Sequence, residues 1–244
     1  MMIESISSPK IMPIKPVKAM ILAAGRGNRF RPLTDTVPKP LIEVCGKPLI
    51  EYHIEKLAQL GISEVVINHA WLGDKIESAL GDGRRWGIHI HYSAEPEGGL
   101  ETAGGIIQAL PLLGEAPFLV INGDVYSDLP FDRLIKQAQR MQESSDISAF
   151  LMLVPSPNHN TQGDFGLLEG NQVSESGRYT FSGMSVLHPK LFEGFEVGFI
   201  KLAPILRRAM QKQQVVGDVF DGYWSDVGTL ERLEATESVV CPLR

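Results

Sequence analysis

Val17-Lys18-Ala19-Met20-Ile21-Leu22-Ala23-Ala24-Gly25-Arg26-Gly27-Asn28-Arg29-Phe30 runs from a continuous apolar segment straight into a glycine loop. Residues 17–23 read as a parallel strand buried on both faces, because such strands lose the polar alternation of a half-exposed sheet. A glycine loop at the carboxyl end of the first strand lets backbone N–H groups approach phosphate oxygens. It is no Walker loop, since no Gly-Lys-Ser/Thr follows. Nor is it a dinucleotide fingerprint, because Arg29 and Phe30 stand where a third glycine would fall.

Outward from this strand the pattern alternates. Pro48 to Leu60 carries a helical apolar stripe closed by Gly61, Glu64 to Asn68 reads as a strand, and Leu72 to Leu80 as a helix. Ile88 to Tyr92, Phe118 to Ile121 and Ile147 to Val154 read as further strands, with helices at Thr102 to Leu110 and Phe131 to Met141. This order predicts an α/β fold, a mostly parallel, doubly wound (Rossmann-like) sheet with helices on both faces. Beyond residue 155 the pattern is mixed. Strands are predicted at Phe165 to Leu168, Tyr179 to Leu187 and Tyr223 to Trp224, with helices near Lys201 to Gln211 and Thr229 to Val239. This part is expected to fold back over the sheet's ligand edge. Residues 1–16 read as a flexible extension and 17–244 as one domain.

Composition excludes several classes. A net charge of −6 argues against non-specific binding to nucleic acid or an anionic membrane, so an anionic ligand needs a local cationic pocket. No apolar run reaches the ~20 residues that span a bilayer. Cys45 and Cys241 form no CxxC pair and suggest no disulfide framework, which points to a reducing cytoplasm.

Four cations, Arg26, Arg29, Arg31 and Lys39, cluster around the glycine loop of this acidic chain. Asp124 follows the Phe118 strand, where ligands of open α/β sheets bind, and Asp226 stands between a short aromatic strand and a helix. A turn residue and a near-cap residue are the plain alternatives for these two aspartates. Two carboxylates plus substrate phosphates are a usual way to hold Mg²⁺. Glu95-Pro96-Glu97-Gly98-Gly99-Leu100-Glu101-Thr102 permits close backbone approach at its glycines, with Thr102 as a helix N-cap. His89 and His91 share a strand face but lack a third metal ligand nearby.

The run from Leu22 to Leu41, with Pro32-Leu33-Thr34 and Pro38-Lys39-Pro40-Leu41, closely resembles the signature of sugar-1-phosphate nucleotidyltransferases. Asn122-Gly123-Asp124 and Trp224-Ser225-Asp226-Val227-Gly228-Thr229 resemble that family's two aspartate motifs. The resemblance implies transfer of a nucleotidyl group to a sugar 1-phosphate, with UTP and the sugar phosphate as partners and Mg²⁺ as cofactor. It implies that Leu22, Ala23, Ala24, Gly25 and Gly27 wrap the triphosphate, and that Arg29 and Lys39 neutralise charge during transfer. Asp124 and Asp226 would hold the metal. Glu95, Gly99 and Thr102 would meet the nucleotide, and Leu100, Asn122, Gly166, Ser182 and Gly183 the sugar. A Glu-Lys-Pro element of many relatives is replaced by Val173-Ser174-Glu175-Ser176-Gly177-Arg178, leaving Lys201 or Arg178 to meet the sugar. On this reading residues 17–155 bind nucleotide and 156–244 bind sugar and metal. Three other functions stay open: another sugar-1-phosphate nucleotidyltransferase (glucose-1-phosphate uridylyl or thymidylyl, or mannose-1-phosphate guanylyl), a non-catalytic nucleotide-sugar-binding regulatory subunit of the same fold, and a kinase or GTPase, which the missing Walker lysine disfavours. The oligomeric state is open between a monomer and a small homo-oligomer.

Overall fold

The computed structural model describes residues 15–144 and 146–241, so the expected extension lies outside the described residues apart from Lys15 and Pro16. In chain order the elements are β1 (Ala19–Leu22), β2 (Glu43–Val44), β3 (Lys47–Pro48), α1 (Leu49–Gln59), β4 (Glu64–His69) and α2 (Gly73–Leu80). There follow β5 (His89–Ala94), α3 (Glu101–Leu113), β6 (Phe118–Asn122), β7 (Val125–Ser127), α4 (Asp132–Glu143) and β8 (Ala149–Pro155). The remainder is β9 (Phe165–Leu167), β10 (Val173–Leu187), α5 (Leu202–Met210), β11 (Val215–Val219), β12 (Trp224–Asp226) and α6 (Leu230–Val240).

The main sheet has the order β11-β8-β10-β6-β1-β4-β5, with β9 hydrogen-bonded to β10. β1 pairs in parallel with β4 and β6, β4 with β5, and β8 with β11. Only β10 runs against its neighbours, antiparallel to β6, β8 and β9. Alternate strand residues serve opposite cores. Ile21, Ile67 and Ile121 pack with Ile50, Ile54, Ile76 and Leu134 on one face, while Met20, Val66 and Val120 pack with Ile106 and Leu206 on the other. That double burial is why the strands read as unbroken apolar runs.

Three expectations need correction. The Tyr179 to Leu187 segment does not fold back over the sheet but lies inside it, between β6 and β8. Its own side chains require this: Met184 and Val186 enter one core and Leu187 the other. Thr102 is not a helix N-cap. The cap position of α3 is Leu100, which offers no side-chain acceptor, and the N–H groups of Ala103 and Gly104 donate to the Ile200 carbonyl at 3.0 and 3.1 Å instead. A tertiary carbonyl thus does what a local hydroxyl usually does.

Cys45 and Cys241, expected as free thiols, form a disulfide across 196 residues of sequence, with Cα atoms 5.5 Å apart. Cys45 sits on the β2–β3 turn with φ 56°, and its N–H donates to Glu237 Oε1 at 3.1 Å. This pins the end of α6 against the hairpin that follows Lys39. The argument for a reducing compartment from the cysteines falls with it.

His53 of α1 is buried with its ring stacked on Phe131, centroids 6.1 Å apart. Burial, helped by nearby Lys56 and opposed by a Val125 backbone hydrogen bond and by Asp124, pushes its pKa down to about 4.

Two outcomes are expected. Replacing Cys45 and Cys241 together by serine should cost ~2–4 kcal/mol of unfolding free energy, the usual worth of a native disulfide. Equal denaturant midpoints for the serine variant and the oxidised parent would refute this. For His53 the folded pKa lies below the unfolded 6.5, so the unfolded chain binds the extra proton first. Stability is therefore full above pH ~6.5 and falls as pH drops toward ~4, by at most ~3–4 kcal/mol at ~1.4 kcal/mol per pKa unit. Unfolding free energies at pH 7.5 and 5.0 should show a smaller difference in His53→Gln than in the parent. An undiminished difference assigns the pH dependence to other groups.

Candidate active site

The glycine loop is closed by its own side chains. Thr34 Oγ1 donates to the Gly27 carbonyl at 2.8 Å, and a Cβ at Gly27 (φ 68°) would stand 2.9 Å from Thr34 and 3.2 Å from Lys39. Arg26 donates to the Thr34 carbonyl at 2.9 Å, pairs with Asp35 at 3.0 Å and stacks 3.5 Å over the Trp71 ring. Arg31 also pairs with Asp35, at 2.8 Å. Two of the four clustered cations therefore brace the loop. Lys39 and Arg29 are left for other work.

Beside this loop opens a cavity of about 380 Å³ at the carboxyl ends of β1, β4, β5 and β6. Of the residues singled out above, Leu22, Ala23, Ala24, Gly25, Lys39, Glu95, Gly99, Leu100, Thr102, Asn122 and Asp124 line it. Gly27, Arg29, Gly166, Ser182, Gly183, Lys201 and Asp226 do not. Asn68 and Phe199 also line it, and neither was among the candidate site residues.

Asn68 joins the two loops that face each other across the cavity. Its Oδ1 accepts the Ala23 N–H at 3.0 Å, and its Nδ2 donates to Glu95 Oε1 at 2.6 Å. Glu95 Oε2 accepts the Leu100 N–H at 2.7 Å. Gly105 must lack a side chain here, since a Cβ would lie 2.2 Å from Glu95 Oε1. Both carboxylate oxygens of Glu95 are thus engaged within the protein. Gly98 and Gly99, with φ of 94° and 75°, present backbone to the cavity. A sequence signal for Asn68 was its polar side chain at the end of the expected strand Glu64 to Asn68.

Asn122 meets Gly183, where β10 shifts register against β8. A Cβ on Gly183 (φ 78°) would lie 2.7 Å from the Asn122 amide. The buried Ser182 hydroxyl accepts the Met184 N–H at 3.2 Å, and the Ser182 carbonyl accepts the Trp224 indole N–H at 2.8 Å. Gly166 is crowded by Ser174, Ser176 and Gly177 of its own hairpin. Lys201 faces a neighbouring groove with Phe199 and Pro204, and Arg178 lies over the Tyr179 ring at 5.6 Å.

The two aspartates meet through the β7–β12 pair, whose register sets Asp226 opposite Val125, the residue after Asp124. Lys39, almost fully buried, forms an ion pair with Asp124. Asp226 is paired with Arg232 and lies 3.2 Å from His159. Thr229 caps α6, accepting the Arg232 N–H at 3.3 Å, so Asp226 is free of the cap role. Oxygen donors on adjoining strands suit a hard divalent cation. No cluster of three or more His, Cys, Asp or Glu side chains able to hold a metal occurs among the described residues, so substrate oxygens and water would complete such a site.

Residues 18–178 match the nucleotidyl transferase family. The N-acetylmuramate alpha-1-phosphate uridylyltransferase of Neisseria meningitidis serogroup B is 54% identical over 228 residues, covering 91% of this chain and 98% of that protein. The mannose-1-phosphate guanylyltransferase catalytic subunit beta of Danio rerio is 32% identical over 87% of this chain, which spans 61% of that protein's length. A Bacillus anthracis structure described as a glucose-1-phosphate thymidylyltransferase superposes with a TM-score of 0.80, covering 93% of this chain and 96% of its own, at 20% identity. That likeness concerns the fold alone. Members of this family generally use a divalent metal. From the match across residues 18–178 and the identity along nearly its whole length, the chain belongs to the nucleotidyl transferase family.

Proposed function

We propose that the protein transfers UMP from UTP to N-acetylmuramic acid α-1-phosphate, releasing pyrophosphate and forming the UDP-sugar, as a step in recycling cell-wall sugars. The observation that carries this reading is the 54% identity to the Neisseria uridylyltransferase over nearly the full length of both chains. In the reaction an oxygen of the sugar phosphate attacks the α-phosphorus of UTP. A new P–O bond forms as the bond to the bridging oxygen of pyrophosphate breaks. The nucleophile is already an anion, so no general base is required.

The protein's task is positioning and charge neutralisation. Backbone groups of Leu22 to Gly25 and Gly27 hold the triphosphate, and the base rests against the Gly98–Gly99 backbone near Glu95 and Thr102. Leu100 and Asn122 border the sugar, with Gly166, Ser182 and Gly183 shaping the wall behind it. Lys39 serves the attacking phosphate, and Arg29 the leaving pyrophosphate. Asp124 and Asp226 would hold Mg²⁺, which supplies positive charge to the phosphate oxygens.

Asp124→Asn and Asp226→Asn should each lower turnover by at least ~10²-fold, typical of removing one preorganised electrostatic group. Near-normal rates for both variants at saturating Mg²⁺ would sink the metal assignment. Given UTP, the enzyme should show its highest kcat/KM with N-acetylmuramic acid 1-phosphate, above N-acetylglucosamine 1-phosphate and glucose 1-phosphate. A pocket that merely has room discriminates by ~10–200-fold, whereas a charge contact to the lactyl carboxylate, from Lys201 or Arg178, exceeds that. Pyrophosphate release with GTP and mannose 1-phosphate exceeding all three would overturn the assignment in favour of a guanylyltransferase.

A further inference from the structure

Asp226 is paired with a guanidinium that has a second guanidinium close by. Arg232, from the first turn of α6, donates through Nη1 to Asp226 Oδ1. His159 Nε2 stands 3.2 Å from the same oxygen and 3.0 Å from Arg232 Nη1. Across Gly228 lies Arg29, for which the described residues provide no carboxylate partner.

Gly228 itself shows what this arrangement is for. Its φ lies outside the left-handed region, so the backbone does not call for glycine. A Cβ there would nevertheless stand 2.6 Å from Arg232 Nη2 and 3.0 Å from Arg29 Nη2. The missing side chain lets the ends of two guanidiniums close on the Gly228 backbone and so brings them near each other. Two like charges this close repel unless an anion lies between them, and planar guanidinium forks suit phosphate oxygens.

We propose that Arg232 and Arg29 form an anion subsite across Gly228 that takes a phosphate oxygen of pyrophosphate, and that an empty subsite leaves Arg232 on Asp226. This rests on the reading of Asp226 as a metal ligand. Arg232 and the divalent cation then compete for one carboxylate. Metal binding frees Arg232 to meet the anion, and the anion in turn relieves the carboxylate of its counter-ion. The two ligands favour each other through a shared side chain, as reciprocal coupling requires.

The test measures binding, not turnover. Mn²⁺ affinity is read without nucleotide from the electron paramagnetic resonance of free Mn²⁺. Pyrophosphate affinity is read by calorimetry without metal. Arg232→Gln is expected to bind pyrophosphate ~10–100-fold more weakly, the scale of one charge-assisted contact. It should also bind Mn²⁺ several-fold more tightly, because the competing cation is gone. Gly228→Ala, whose Cβ would push both guanidinium ends aside without backbone strain, should weaken pyrophosphate in the same way, and Arg232→Lys should keep part of the affinity. Unchanged pyrophosphate binding in both Arg232→Gln and Gly228→Ala overturns the subsite. Weaker Mn²⁺ binding in Arg232→Gln overturns the competition, making Arg232 a simple brace for Asp226. If Asp226→Asn binds Mn²⁺ as the parent does, the metal reading fails and the competition with it. The pyrophosphate arm then judges the subsite separately.

Discussion

The hydrogen bonds of one buried amide hold the ligand face together. Asn68 spends its carbonyl on the Ala23 N–H and its amino group on Glu95, which in turn holds the Leu100 N–H. A buried amide with its groups satisfied is stable, but losing one partner leaves a desolvated group costing ~1–3 kcal/mol. The penalty makes the arrangement specific. The glycine loop after β1 and the loop before α3 cannot drift apart without breaking this chain of contacts. The far wall is tied by a similar device, Trp224 reaching from β12 to the Ser182 carbonyl beside the β10 bulge. Pocket width is thus set by side chains bonded to the opposing backbone.

The charges follow a second logic. An acidic protein of net charge −6 must receive polyanions at one face, so its cations there are local and, Arg29 apart, paired with carboxylates. Lys39 rests on Asp124, Arg232 on Asp226, and Arg26 on Asp35. Each pair offsets part of the desolvation that an isolated charge would suffer. The Arg26 pair is structural, since its guanidinium is also stacked on Trp71 and bonded to the Thr34 carbonyl. The other two place cations beside the two carboxylates proposed to hold the metal.

What was legible in the chain follows from the range of the forces involved. Strands β1, β4 and β6 announce themselves because burial on both faces leaves a local apolar mark. The glycine loop is likewise local, and its glycines and arginines fall within one short run. β11 escaped notice because Val215–Val219 is short and interrupted by Gly217 and Asp218. The Thr102 cap failed because Ile200, far along the chain, supplies the acceptor. Cys45 and Cys241 gave no pairing signal for the same reason: 196 residues separate them. Asn68 and Arg232 likewise act through partners that no spacing rule connects.

The antiparallel insertion of β10 also bears on how the chain is made. β6 presents its edge to β10 and to nothing else on that side. On the ribosome, Phe118–Asn122 emerges some 60 residues before the Met184–Leu187 segment that covers it. At ~5–20 residues per second that edge stays bare for several seconds, and β8, already synthesised, is a parallel neighbour that could pair with it wrongly. An uncovered apolar edge strand is a template for association with other nascent chains. The first half of this protein therefore carries an edge open to wrong pairing during synthesis, although it is the half whose fold is easiest to read.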